Sequence, residues 1–369
     1  MTSQMGRAMV TFGVGIPWEM REYPIPAPEP GAIVAKITMA SICGTDVHLY
    51  GGDFGGPSGV RQKPTISGHE FVGRVHKLGA GVTTDTTGQP LREGDRVVWS
   101  PSIVCGRCPS CLKEILPCPN RKVHAGTTSD DWPHFKGGFA EYYYLSPGQW
   151  TYKVPDVVPD TAAVYVDCAA ATVAYALSKV CFPMGSWGLI QGAGGLGLCA
   201  APMMKDMGAR VMVVDKVAER LSLATSFGAD HTIDSTKYPT PQSRIARVKE
   251  LTGGRGAEVV MEAVAAAPEV VPEGLQMLDL GGTYLTVGLV GPYAASISMM
   301  PFIDRGLRLI GSAQFNAATM PRVLDLMART IDRYPWDKMI SHTFKLEDTE
   351  EALQRAAAGK VIRAAIVMD

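Results

Sequence analysis

The sequence predicts an α/β chain of two domains, one β-rich and one a doubly wound parallel sheet. Three observations predict it. The 369 residues hold about two domains at roughly 150 residues each. The first part, to position 155, reads as short strands broken by glycine and proline. From position 170 onward, apolar strand patterns alternate with helical ones.

The elements follow in order. Positions 32–37, 71–75 and 97–99 carry strand-like apolar runs, and the glycine-rich stretch 51–63 reads as a loop. Strands are expected at 187–191, 210–215, 231–233, 257–262, 283–287 and 307–310. Helices are expected from the turn after 191 to 207, and at 217–227, 244–251 and 268–278. Six strands alternating with helices match two mononucleotide-binding halves. Helices at 318–329 and 349–358 and a strand at 364–368 close the chain.

Composition excludes several classes. Lys+Arg (35) and Asp+Glu (36) nearly cancel, giving a net charge of -1, so nothing neutralises a phosphate backbone and no nucleic-acid partner is expected. With 46% hydrophobic and 19% charged residues the chain can build a large core and is not disordered. The most apolar stretch, 162–177, contains Asp167 and is shorter than the ~20 residues of a spanning helix. No membrane partner is expected, and the start lacks the pattern of a secretion signal. A reducing, cytoplasmic location is the expectation.

Gly192-Ala193-Gly194-Gly195-Leu196-Gly197 follows an apolar strand and opens a helix, and Asp215 stands 18 residues past Gly197. That context makes the glycine pattern a dinucleotide fingerprint. Gly192 allows the tight turn, Gly194 lets backbone approach a pyrophosphate, and Gly197 lets helix and strand pack closely. The helix start offers free N–H groups to the phosphates. Asp215 accepts ribose hydroxyls and repels a 2′-phosphate, which favours NAD over NADP. Lys216 beside it pulls the other way.

Of eight cysteines, Cys105, Cys108, Cys111 and Cys118 fall within 14 residues. Four thiolates close a tetrahedral zinc site and leave no room for substrate, so this site is structural. An iron–sulfur cluster uses the same ligands but sits poorly beside a hydride-transfer fold.

Cys43-Gly44-Thr45-Asp46-Val47-His48 and Gly68-His69-Glu70 lie in the β-rich part, and Cys168 opens the apolar helix before the glycine loop. With the four-cysteine lobe, the glycine loop, Asp215 and a terminal Gly359-Lys360-Val361-Ile362-Arg363, they run in an order that covers essentially the whole chain. This order resembles the zinc-dependent alcohol dehydrogenases of the medium-chain dehydrogenase/reductase superfamily. The last gap in the cysteine lobe is six residues, where the family more often has one more. The resemblance implies a GroES-like catalytic domain over 1–168 with a structural-zinc lobe at 101–122. It further implies an NAD-binding Rossmann domain over 169–310 and a return of 311–369 to the catalytic domain. It also implies two zinc ions per chain, NAD, and a homodimer or homotetramer. The catalytic zinc would be held by Cys43, His69 and Cys168, with Glu70 as alternate ligand or neighbouring carboxylate. Asp46 would orient His69, Thr45 would contact the substrate oxygen, and His48 would complete a proton relay through the cofactor ribose. Thr172, four residues past Cys168, would meet the nicotinamide, as would the strand end Val287-Gly288-Leu289. Arg220 and Lys216 would lie near the ribose and Arg363 at the pyrophosphate.

The reaction implied is oxidation of a secondary or cyclic alcohol, or a polyol, by hydride transfer. Trp99, Tyr50, Phe54 and Trp132 either line an apolar pocket or belong to the core. The Trp132-Pro133 segment, the Gly137-Gly138-Phe139-Ala140-Glu141 run and Cys168-Ala-Ala-Ala-Thr172 also resemble dehydrogenases of phosphonate breakdown. Two other readings compete: a zinc-free quinone or enone reductase of the same superfamily, and a zinc-binding interaction module. The first lacks the Cys43, His69 and Cys168 set; the second has no use for the cofactor fingerprint. Asp167 and Cys168 are adjacent candidate ligands. The resemblance favours Cys168, because the family's ligand cysteine stands four residues before the threonine at the nicotinamide, as Cys168 does before Thr172; that step also keeps one helical face, and Asp167 is expected to accept from free N–H groups at the helix start. The strand at 283–287 and the stretch 291–298 are expected near the sheet edge, where chains would pair.

Overall fold

A computed structural model describes residues 4–55, 58–123, 127–265, 267–288 and 294–368. The chain divides into two compact units. Met1–Cys168, Asn316–Ile331 and Trp336–Asp369 form the first, and Ala169–Phe315 with Asp332–Pro335 the second.

The first unit is built on a seven-stranded sheet. Its central strand, Ile33–Ser41, is mostly apolar and buried along most of its length. It pairs antiparallel with Glu70–Leu78, Tyr142–Leu145 and the C-terminal strand Ala364–Val367. Arg96–Trp99 and Thr151–Lys153 extend the sheet on one side, and His342–Lys345 on the other. The end of the chain therefore adds its strand directly beside Ser41, the register partner of Ala365. A three-stranded sheet centred on Met5–Thr11 completes the unit.

An aromatic trio anchors this core. The Phe71 ring stacks on Trp99 at 4.6 Å and packs against Tyr143 at 4.8 Å. Trp99 is fully buried, so it is a core residue and lines no substrate pocket. Its indole is enclosed by the Phe71 and Tyr143 rings. Tyr50, Phe54 and Trp132 stay nearer the surface: Tyr50 donates to Glu350 at 3.3 Å, and Phe54 meets His48 edge-on. Trp132 packs edge-on against Tyr144.

The second unit holds a six-stranded, wholly parallel sheet. Its order is His231–Asp234, Arg210–Asp215, Trp187–Gln191, Ala257–Glu262, Leu278–Thr286 and Arg308–Gly311. Strand order reverses between Trp187–Gln191 and Ala257–Glu262, the place where such sheets bind dinucleotides. Helices Gly195–Asp206, Ala218–Ser226 and Val270–Met277 pack on the sheet. Helix Pro241–Leu251 starts three residues before its expected position, because Thr240 and Ser243 cap each other's backbone N–H. Its Arg244 forms a two-pronged ion pair with Glu273 at 2.7 and 2.6 Å. The strand expected at the sheet edge is interior: Leu278–Thr286 is covered by Arg308–Gly311, which is the outer strand. Of the adjoining stretch 291–298, positions 291–293 lie outside the described residues, and Ala295 and Ile297 pack on this core.

Candidate active site

Cys43, His69, Glu70 and Cys168 bring four potential ligand atoms within 4.8 Å of one another. Each arrives for a local reason. Cys43 caps the helix Gly44–Gly51, and Asp46 in that helix's first turn reaches back to accept the Cys43 N–H at 2.9 Å. The other Asp46 oxygen lies 3.1 Å from Nδ1 of His69. One buried carboxylate thus fixes the backbone of one candidate ligand and the ring of another, leaving His69 Nε2 for a metal. Burial alone would depress His69, but the Asp46 charge and hydrogen bond outweigh it and hold the imidazole well above its ordinary value.

Glu70 opens the strand Glu70–Leu78 opposite Ser41. Its Oε2 meets the Ser41 hydroxyl and the Arg363 guanidinium, the latter placed there by the C-terminal strand. Burial raises the Glu70 carboxyl to about 7 against the pull of Arg363. Its Oε1 is buried and has no hydrogen-bond partner among the described residues.

Cys168 stands in a single π-helical turn, Val166–Ala170, its sulfur 4.0 Å from that of Cys43. The Cys168 thiol and then His69 hold Cys43 well below the ordinary thiol range. Two thiolates on a tetrahedral zinc at ~2.3 Å lie about 3.8 Å apart, close to the observed separation. A cation would also meet the orphaned Glu70 oxygen, so this donor set fits zinc. Because the turn is π-helical, the α-helical face invoked for Cys168 and Thr172 does not govern their spacing. Thr172 lies in the following helix, Ala171–Leu177. Asp167 does not cap that helix. It is fully buried and accepts the Phe71 backbone N–H at 3.1 Å.

The four-cysteine lobe fits zinc on its own distances. Sulfur separations are 3.5 Å (Cys108–Cys111), 3.6 Å (Cys105–Cys118), 3.8 Å (Cys108–Cys118) and 3.9 Å (Cys105–Cys111). These bracket the same ~3.8 Å tetrahedral edge. All eight cysteines are free thiols. The backbone N–H of Arg107 pulls the Cys105 thiol down to about 6, while burial raises that of Cys111.

In the second unit the glycine loop leaves the strand Trp187–Gln191 and opens the helix Gly195–Asp206. Gly192 has a φ of +101°, and a Cβ on Gly197 would stand 1.9 Å from the Gly192 carbonyl oxygen. Both glycines are required by the turn itself. Gly194 is different: its backbone is extended, and an added Cβ would meet nothing within 4 Å. The fold does not need a glycine there, but a phosphate cradle does. Gly195 and Leu196 begin the helix, where free N–H groups gather.

Asp215 ends its strand with one oxygen accepting the Ala193 N–H of the loop at 2.7 Å. The other accepts the Val217 N–H at 2.9 Å. Lys216 is exposed and Arg220 lies on the next helix. Val287 and Gly288 are buried at the strand exit, and the Gly288 N–H is held by the buried Glu262 carboxylate at 3.1 Å. Leu289 lies outside the described residues.

Three partners had no sequence signal: Ser41 and Arg363 on Glu70, and Asp53, whose Oδ2 lies 2.6 Å from Nδ1 of His48. Arg363, expected at a pyrophosphate, is 7% exposed and engaged with Glu70 and Ser41. Thr45 Oγ1 is 4.0 Å from the Cys43 sulfur.

Residues 29–156 match the alcohol dehydrogenase GroES-like domain, and residues 195–329 match the zinc-binding dehydrogenase domain. The chain is 34% identical over 358 residues to 5-exo-hydroxycamphor dehydrogenase of Pseudomonas putida, covering 94% of this chain and 95% of that one. It belongs to the zinc-binding alcohol dehydrogenases. An alcohol dehydrogenase of Geobacillus stearothermophilus is 32% identical, with 93% of each chain covered. The crystal structure of an alcohol dehydrogenase from Thermotoga maritima superposes with a TM-score of 0.90 at 26% identity, covering 100% of both chains. This family member is an oxidoreductase of CH–OH donors that uses zinc and a nicotinamide cofactor on small alcohol or carbonyl substrates. It joins a GroES-like domain to a Rossmann sheet. Among the described residues, no helix is long and apolar enough to cross a membrane.

Proposed function

We propose that this dehydrogenase oxidises a secondary or cyclic alcohol to the ketone with NAD, using one catalytic and one structural zinc per chain. The observation that carries the reading is the convergence of Cys43, His69, Glu70 and Cys168 within 4.8 Å. A relative named for hydroxycamphor, a cyclic secondary alcohol, supports the substrate class.

The residues divide the work. Cys43, His69 and Cys168 hold the catalytic ion and leave a fourth position open, with Glu70 beside it. Zinc, when bound, supplies a Lewis acid for the substrate oxygen, and the nicotinamide supplies the hydride acceptor. Thr45 takes the substrate hydroxyl into a hydrogen bond at the Cys43 side of the site. His48 passes the released proton towards solvent, and Asp53, 2.6 Å from its ring, holds the ring in place. Asp46 keeps Cys43 and His69 in place. Cys105, Cys108, Cys111 and Cys118 hold the structural ion in the 101–122 lobe.

The unit containing Cys43 is assigned as the catalytic domain, and the unit with the parallel sheet as the NAD-binding domain. Positions 311–315 and 332–335, expected with the catalytic domain, fall instead in the parallel-sheet unit. There Gly192, Gly194, Gly195, Leu196 and Gly197 cradle the pyrophosphate, and Asp215 with Lys216 and Arg220 addresses the ribose. Thr172 and the 287–289 strand end face the nicotinamide. Arg363 is assigned through its ion pair with Glu70, and pyrophosphate contact would be its second task. A reducing cytoplasm suits the free thiolates. Pairing of chains along the outer strand Arg308–Gly311, whose Leu309 is exposed, would give a homodimer or homotetramer.

The test is an NAD-reduction assay over primary, secondary, cyclic and polyhydroxy alcohols, run with NAD and NADP. The highest kcat/KM is expected for a cyclic or secondary alcohol with NAD. Turnover confined to primary alcohols contradicts the substrate class.

A further inference from the structure

Asp167 is fully buried, yet it serves neither as a helix cap nor among the four atoms that converge on the metal position. It stands immediately before Cys168, in the same π-helical turn. One of its oxygens accepts the backbone N–H of Phe71 at 3.1 Å, across 96 positions of sequence. The other is buried and has no hydrogen-bond partner among the described residues. Phe71 in turn follows directly on His69 and Glu70. Its ring is wedged between Trp99 and Tyr143, both themselves buried.

A single hydrogen bond therefore joins the two segments that carry three of the four candidate ligands. One end is a backbone position locked in the aromatic core. The other is a single π-helical turn, a geometry of poorer intrinsic stability that recurs at functional sites. Burying a carboxyl with one oxygen unsatisfied costs stability, and an apolar side chain would serve packing better. Stability alone gives no reason for an aspartate here. Placement of the neighbouring sulfur does.

We infer that Asp167 is a positioning residue whose hydrogen bond to the Phe71 backbone sets the Cys168 sulfur relative to His69 and Glu70. The inference rests on the reading of Cys43, His69 and Cys168 as the catalytic zinc site. Outer partners of metal ligands commonly change metal affinity by about 10- to 100-fold when removed, and that is the effect expected for loss of this bond. Asparagine keeps the acceptor oxygen and the size; alanine and leucine remove the acceptor.

The experiment uses the full chain with zinc left in the four-cysteine lobe and the labile ion exchanged for cobalt(II). The probes are the visible cobalt bands and the rate at which a chelator withdraws the cobalt. Asp167→Asn should keep the native bands and release rate. Asp167→Ala should shift the bands and speed release by about 10- to 100-fold, with the lobe zinc retained. If the alanine variant does not fold, Asp167→Leu, which fills the space, is read in the same way. Native bands and release in the variant lacking the acceptor overturn the inference, even if its Tm falls. Loss of cobalt from Asp167→Asn as well would make the carboxylate a ligand and also overturn it. Failure of the unaltered protein to take up any cobalt overturns the zinc reading beneath it, an outcome visible before any variant is made.

Discussion

Cys168 carries the sharpest prediction at the scale of single residues. Its sulfur lies 4.0 Å from that of Cys43, and the lobe sulfurs form a separate set. Cys168→Ala should lose one zinc per chain and all turnover, and keep the other ion. Metal analysis beside the alcohol-oxidation rate checks this. In the proposed reading, Asp215 sets cofactor choice through a charge that opposes a 2′-phosphate. Asp215→Ala should weaken NADH binding and narrow the NAD-over-NADP preference, measured as the ratio of the two kcat/KM values. Because the same carboxylate accepts the Ala193 and Val217 N–H groups, part of that loss should also appear as a lower Tm. A native protein that prefers NADP would show that Lys216 or Arg220 governs the ribose instead.

Elements explain why some of these residues were legible and others not. The glycine loop was readable because the turn, the helix start and the following acid obey local rules at fixed spacing. The structure then separates its glycines: Gly197 is demanded by a 1.9 Å approach, Gly194 by nothing in the fold. Gly194→Ala should keep the Tm and weaken NADH binding, read by fluorescence titration. Gly197→Ala should lower the Tm as well. The Glu70 partners were not readable, because Ser41 and Arg363 meet it only through strand pairing across the central sheet. The π-helical turn was equally hidden: apolar spacing over 162–177 is the same for an α-helix, and the deviation is held by Asp167 reaching Phe71. That Leu278–Thr286 lies one strand inside the edge was not readable, because sheet order depends on crossovers that local pattern does not encode. Elsewhere in the second unit, Glu273 is buried against Arg244. Glu273→Ala should cost about 3 kcal/mol in urea unfolding, since it strands a poorly hydrated guanidinium.

At the scale of the whole molecule the account is that of a chain whose two ends build one unit around a metal position. The middle of the chain folds into a parallel sheet for the nucleotide. The closed four-thiolate lobe and the open Cys43–His69–Cys168 site differ in kind, so their ions should differ in lability. The measurement that tests this most directly is zinc content followed together with NAD-dependent alcohol oxidation during mild chelation of the full-length protein. The account predicts two zinc ions per chain at the start. It predicts loss of one in step with activity, and recovery of activity when that one is restored. Full activity in protein stripped of all zinc would contradict it.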